Sequence, residues 1–416
     1  MSRATSAEGQ FEIESDQAVY FPKRILGNDS YVFAACKKNI NLSGINCKIH
    51  WVRLRPENTV ELLKTCLFQK APSGITNFLY KLHPLSLDLL GDDRTIIISW
   101  ITWNDKVTMK QRVSIVNMSN CNTKDLQFTS SDKYLENLTL GNIVPYSTQF
   151  DIFTSDKKCG SWNKCILSYD DSGLLKHKSR FNISAAHFNV FPISRLSSEK
   201  GFVAYTESKS TNHNSTSLAV YFRSPSAETM VPLGEYWYGI TDSPPITSNA
   251  NLMFTICEKQ MMMSGGMQNS LIHCIQLGKE SANYTSDFKK IFSESFNGLK
   301  AGAVFNFRQG GFLMLILDCD GYLEPSCKTF TLYKVKQSVS MSSHHKMTTL
   351  HKGLSNVACS GELHDLKIIA NETDDKYCFH ILCASELMVG GDILKKLVYF
   401  KKLCFFKLLI ALGVPT

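Results

Sequence analysis

Residues Gly310–Lys334 read GGFLMLILDCDGYLEPSCKTFTLYK. Two glycines open an apolar run, Phe312–Leu317. A polar loop containing Gly321 and Pro325 follows, and Thr329–Lys334 alternates into a second run. Apolar β-formers on either side of turn-forming residues spell a hairpin. Cys319 closes the first run and Cys327 opens the second, where a cross-strand disulfide would staple the pair.

Weaker copies of this hairpin recur along the chain, and they group into units of four short strands. The first unit takes residues 17–25, 30–36, 47–54 and 59–68; the second takes 78–90, 95–103, 110–118 and 125–128. The third takes 142–148, a polar stretch around Cys159–Trp162, 165–169 and 179–183. The fourth takes 187–196, 201–205, 217–222 and 229–234, and the fifth 238–247, 251–257, 270–277 and 288–292. In the sixth, 301–307 precedes the opening hairpin and 348–353 follows it. The seventh takes 356–361, 366–370, 377–383 and 394–400. No helical periodicity is sustained before the C-terminal tail, so the body reads as all-β.

Second strands start 43 to 64 residues apart. That is the size of a four-stranded propeller blade, whose known repeats run about 40–50 residues. Five of the seven first strands carry a proline, at Pro22, Pro84, Pro145, Pro192 and Pro245. Proline cannot donate to a ladder and belongs on an edge, as the innermost strand of a blade is. In architecture the pattern resembles extracellular-type β-propellers, although no family motif is present. The resemblance implies about seven four-stranded blades over residues 17–392. Segment 1–16 is placed to add a closing outer strand around Phe11–Glu14, and 393–416 forms a basic-apolar tail. Two β-sandwich domains of about 200 residues each are the alternative that short strands and frequent turns also permit.

The formal net charge is +8, and Lys395, Lys396, Lys401, Lys402 and Lys407 supply five of those charges within the last twenty-two residues. The body is only mildly basic, which argues against a nucleic-acid partner. The tail is too charged to span a bilayer. Contact with an anionic membrane surface is the weaker reading of it; the preferred one is a last strand followed by a non-native end.

Fourteen cysteines point to an oxidising compartment. Pairs Cys36–Cys47, Cys257–Cys274 and Cys319–Cys327 each bracket a second-to-third-strand loop, with Cys159–Cys165 as a shortened version. Cys378 and Cys383 lie about 16 Å apart along one strand and do not pair with each other; one of them is expected to meet Cys359. Cys66, Cys121 and Cys404 have no evident partner. Eight N-x-[ST] sequons occur, at Asn28, Asn41, Asn117, Asn137, Asn182, Asn214, Asn283 and Asn371, where chance predicts about four. A secreted glycoprotein is therefore expected, although MSRATSAEGQFEIES holds no signal-peptide core.

Catalytic and cofactor signatures are missing: no G-x-S-x-G elbow, phosphate-binding loop or dinucleotide fingerprint. Neither paired C-x-x-C motifs nor H-E-x-x-H signals zinc. Asp318, Asp320, Gly321 and Glu324 lack the frame of a calcium loop, and an acidic turn accounts for them. His50, His187, His273 and His380 fall inside apolar strands, as structural histidines do. Arg24, Arg195 and Arg308 end the first strands of three units, and a closed ring brings them toward one mouth, where guanidinium groups bind carboxylate or sulfate. Ser168–Gly173 resembles the sialidase Asp-box, but its glycine falls one place late and no tryptophan follows. Met261–Met267 reads as an adaptable loop. The expected function is an extracellular protein- or glycan-binding module without metal or cofactor. The alternatives are a glycan-directed hydrolase and an intracellular WD40-type scaffold, the latter lacking its Gly-His and Trp-Asp signatures.

Overall fold

The computed structural model describes the backbone of residues 4–22, 25–27, 29–37, 45–70, 85–104, 108–128, 142–145, 150–155, 163–169, 174–182, 188–193, 200–209, 214–223, 228–235, 254–264, 267–277, 289–307, 311–321, 324–336, 346–360, 366–389 and 392–412, with side chains chiefly in 4–100, 112–126 and 296–411.

After β1 (Ala4–Ile13), the chain lays down sheet after sheet. The first holds β2 (Gln17–Tyr20), β3 (Ser30–Lys37), β4 (Ile45–Leu54) and β5 (Val60–Lys70). The second holds β6 (Leu85–Leu89), β7 (Thr95–Asn104), β8 (Thr108–Asn117) and β9 (Thr123–Asp125). The third joins β10 (Gln127–Phe128) to β11 (Asn142–Pro145), β12 (Phe150–Ser155), β13 (Asn163–Tyr169) and β14 (Leu174–Asn182). The fourth holds β15 (Phe188–Ile193), β16 (Lys200–Lys209), β17 (Asn214–Arg223) and β18 (Glu228–Glu235). The fifth shows β19 (Phe254–Ser264), β20 (Met267–Leu277) and β21 (Lys289–Asn297). The sixth holds β22 (Leu299–Asn306), β23 (Phe312–Asp320), β24 (Ser326–Lys336) and β25 (Lys346–Ala358). The seventh holds β26 (Lys367–Glu372), β27 (Lys376–Val389) and β28 (Asp392–Phe406), with β1 as its outer strand, and α1 (Lys407–Leu412) ends the described chain.

First strands of successive sheets stand side by side: β2 by β6, β6 by β11, β11 by β15, and β22 by β26. Seven sheets among the described residues, antiparallel except for the β10–β14 pair and closed by a terminal strand, make a β-propeller.

The apolar runs follow from this geometry. In the blades whose side chains are described, the second strand is sandwiched between two neighbouring blades, so both of its faces are buried. In β23, Leu313, Leu315 and Leu317 face the core shared with the seventh blade, while Phe312, Met314 and Ile316 belong to a second cluster with Phe296 of the fifth. In β3, Val32, Ala34 and Cys36 face the second blade, and Tyr31, Phe33 and Ala35 face the seventh.

Disulfides reinforce the blades in two ways. Cys36–Cys47, Cys319–Cys327 and Cys378–Cys404 each link directly opposed residues on the second and third strands of one blade. Their Cα separations of 4.0, 3.9 and 4.1 Å suit a closely spaced antiparallel pair. Cys66–Cys121 ties the first blade to the second, and Cys359–Cys383 ties the sixth to the seventh. Beside Cys66–Cys121, Trp100 Nε1 donates to Ser114 Oγ at 3.1 Å and Ser114 Oγ donates to Asp125 at 2.7 Å. Asp125 in turn pairs with Lys70 of the first blade.

The last junction closes through β1, whose ten residues pair antiparallel with β28 without a register shift. The acidic strand meets a basic one. Lys401 (2.9 Å) and the Tyr399 hydroxyl (3.1 Å) both donate to Glu8, and Lys395 donates to Glu12 at 2.8 Å. The remaining tail lysines also find carboxylates: Lys396 with Glu386, Lys402 with Asp29 and Lys407 with Glu372. Gly9 keeps β1 tight against the first blade, since a Cβ there would lie 2.6 Å from Val60.

Several local expectations are corrected. The seventh blade is offset by one strand: Asn356–Ala358 end β25, residues 366–370 mostly form the first strand β26, and β1 supplies the fourth. Residues 125–128 do not form one strand, because β9 ends at Asp125 and β10 crosses to pair in parallel with β14. The second strand of the third blade is Phe150–Ser155, whereas Cys159–Trp162 lies outside the described residues. Met261–Met263 continue β19, and Met267 begins β20. Cys66, Cys121 and Cys404 have the partners given above. The tail through Phe406 is the third strand of a blade.

Two expectations for stability follow. Leu315→Ala, at 0% exposure, is expected to cost about 2–5 kcal/mol in denaturant unfolding. Glu8→Ala strips the counterion from Lys401, whose side chain is 7% exposed. It is expected to cost about 1–2 kcal/mol, between the values for an exposed and a buried pair, because Glu8 is half exposed. The Lys401 hydrogen bond holds the Glu8 carboxyl below its ordinary value. Its contribution is therefore full above about pH 4.5 and lost as pH falls through the folded value, so the wild-type advantage over Glu8→Ala should vanish in acid.

Candidate functional site at one mouth of the ring

Antiparallel alternation brings first-to-second and third-to-fourth strand connections out at the same end of each blade. At that end of the sixth and seventh blades, aromatic rings and lysines converge. Phe307 follows the inner strand β22, and Tyr377 stands near the start of β27, with ring centroids 5.7 Å apart. Phe305 supports Tyr377 from below at 4.6 Å. Both Phe307 and Tyr377 are partly exposed.

Three ammonium groups lie against rings here. Lys334 sits 5.9 Å from the Phe307 ring centre, Lys407 5.4 Å from Tyr377, and Lys376 4.7 Å from Phe406. Such contacts contribute about 0.5–2 kcal/mol each, depending on desolvation. Lys407 also pairs with Glu372 at 2.5 Å and Lys376 with Asp375 at 3.9 Å. Lys334 differs, since its Nζ donates to the Ile410 carbonyl of α1 at 2.6 Å and no described carboxylate pairs with it. Burial, and then the neighbouring Lys336 charge, lowers its pKa. The cluster thus offers two half-exposed rings rimmed by cations, a surface suited to stacking a sugar or planar group beside an anion. Leu408 adds an exposed apolar side chain, 71% accessible.

Arg24, Arg195 and Arg308 all fall outside the described residues; Arg308 is next in sequence to Phe307. Sequence reading singled out none of Phe307, Tyr377 or Lys334. Their only signal was position: an aromatic just past an inner strand, and an aromatic opening a second strand.

Of the sequons, Asn28, Asn41, Asn137 and Asn283 lie outside the described residues, and for Asn182 and Asn214 the backbone alone is described. Asn117 ends β8 and its Oδ1 accepts from Ser119 N at 2.8 Å. Asn371, half-buried, lies near the end of β26. Cys257 and Cys274 stand opposite one another on β19 and β20, at the end of that hairpin away from its turn. Asp318 is engaged by Lys300 and Thr329, and Asp320 by Lys328. Among the described residues no cluster of His, Cys, Asp or Glu is arranged to hold a metal. The five disulfides among the described residues fit an oxidising compartment.

No family model matches the chain, and no curated protein matches it in sequence. Among solved structures, it is similar to Drosophila Plexin A in complex with Semaphorin 1b (9% identity, 94% of this chain, 86% of that chain, TM-score 0.49). It is also similar to Drosophila Semaphorin 1b, extracellular domains 1-2 (8%, 94% and 86%, TM-score 0.47), and to oligogalacturonate lyase from Vibrio parahaemolyticus (10%, 95% and 97%, TM-score 0.46). At these identities and scores the likenesses carry no argument about function.

Proposed function

We propose that this propeller is an extracellular binding module that takes a protein or glycan ligand at the Phe307–Tyr377 mouth. The single observation that carries the reading is that cluster: half-exposed rings and cations on a rim beside the Cys378–Cys404 disulfide. Rigid scaffolds presenting loop-end side chains are where binding concentrates in such folds. A ligand bearing carboxylate or sulfate suits the cationic rim, with Arg308 as a further contact. Arg24 and Arg195 are proposed for the same face. N-glycans at the eight sequons and a fourth cross-strand disulfide at Cys257–Cys274 complete the proposal for a secreted protein.

The test is an array of acidic glycans, including heparan, chondroitin and polygalacturonate fragments, probed with wild type, Phe307→Ala and Arg308→Ala. Binding weakened about tenfold or more in both variants is expected; wild-type-like binding in both, or no retention of wild type, removes the glycan ligand. For compartment, protein from a secreting host should migrate faster non-reduced than reduced and shift after N-glycosidase. Absence of both shifts sinks the extracellular reading.

A further inference from the structure

Side chains define three blade junctions: sixth–seventh, seventh–first and first–second. Two of them carry disulfides, Cys359–Cys383 and Cys66–Cys121. The seventh–first junction has none among the described residues, and two histidines are buried in it. His380 on β27 is 1% exposed and its Nδ1 lies 2.8 Å from the Tyr31 hydroxyl of β3. His50 on β4 packs against Phe11 of the closing strand and Phe33 of β3, with ring centroids at 5.0 and 5.1 Å. Its Nδ1 meets Thr65 Oγ1 at 3.1 Å. The Nε2 atom of each ring is buried with no hydrogen-bond partner among the described residues.

A neutral imidazole fits such a setting, whereas an imidazolium must place two N–H donors. The charged neighbours oppose it too. Across β28, His380 faces Lys402, which is paired with Asp29; on β26 it faces Ile369, and on β3 Tyr31. His50 shares β4 with Lys48, whose charge is partnered by Glu14, and meets Phe33, Thr65 and Phe11 from β3, β5 and β1. Burial first, and then Lys402, lowers His380 to about 3; burial, and then Lys48, lowers His50 to about 4.

We propose that the seventh–first junction is an acid-released latch, in which proton uptake by His50 and His380 opens this seam of the ring ahead of the other junctions. Once the seam opens and water reaches the rings, each regains the ordinary pKa near 6.5. A histidine depressed in the closed form contributes stability that is full above pH 6.5 and lost as pH falls toward the closed-state value. The window runs from 6.5 to about 4 for His50 and to about 3 for His380. Between pH 7.5 and 5.0 the opening constant therefore rises about 30-fold per histidine, and about a thousandfold for both. Glu8 of β1 keeps its hold on Lys401 over that range, because the Lys401 hydrogen bond holds its carboxyl below the ordinary value.

Hydrogen exchange on the intact protein at pH 7.5 and 5.0, corrected for intrinsic rates, tests the latch. Amides of β1, β3 and β27 should gain about a thousandfold in opening at pH 5.0, while those of β7 and β23 stay protected. His50→Gln and His380→Gln should each reduce the gain to about 30-fold. Should His380→Gln fail to fold, His50→Gln alone suffices, together with an NMR titration of the wild-type histidine ring carbons. A uniform acid-induced gain in every blade overturns the proposal, as does an undiminished gain in His50→Gln or closed-state titration of both rings near pH 6.5.

Discussion

The ring depends on ten backbone pairs between its two ends. β1 and β28 lie at opposite ends of the sequence, with Lys395 and Glu12 separated by 383 positions, yet they form adjacent strands of one blade. Closing so long a chain costs entropy that local hairpins do not pay. The compensation is concentrated: a ladder without a register shift, Phe11 packed on Phe33 and His50, and an acid-to-base match between Glu8 and Glu12 on one strand and Lys401 and Lys395 on the other. Charges that look like a membrane-seeking tail in sequence serve here as partners for the chain's own beginning. They also select this pairing over any other edge strand, because a one-residue slip would put Lys401 beside the wrong side chain.

The junctions on either side of this seam are fastened differently. Cys66–Cys121 and the Trp100–Ser114–Asp125–Lys70 chain bind the first blade to the second, and Cys359–Cys383 binds the sixth to the seventh. Covalent links limit what the unfolded or partly open chain can sample. The two blades flanking the seam are therefore each tied covalently to their other neighbour, while the seam between them holds no disulfide among the described residues. The candidate mouth, built from β22, β24, β27 and α1, lies at the sixth–seventh junction, with Cys378–Cys404 beside Tyr377.

Legibility from sequence followed the range of the interactions. Gly310–Lys334 was readable because a hairpin is local: its apolar runs, turn and cysteines fall within one stretch, and β23, β24 and Cys319–Cys327 stand there. The second-strand runs were equally visible, since burial on both faces leaves no polar positions to blur them. What failed was non-local. Cys66 and Cys121 meet across a blade junction, and Cys404 opposes Cys378 only once β28 is recognised as a third strand. The seventh unit was misplaced by one strand because its fourth member comes from the other end of the chain. Met261–Met263 looked like a loop, since methionine gives no β-signal of its own. The aromatic-lysine mouth left almost no trace, its members being scattered over β22, β24, β27 and α1.

The sequence by itself determined the strand content, the hairpin connectivity, the blade-sized repeat and two of the staples inside a blade, Cys36–Cys47 and Cys319–Cys327, because each rests on residues close together in the chain. Only the tertiary structure decided the register in which β1 closes the ring, the Cys66–Cys121 link between blades, and which charges cancel. It also decided where two histidines lose water at one seam. Those outcomes depend on which distant strands come into register, and that register is set by packing between blades, which no single stretch of sequence contains.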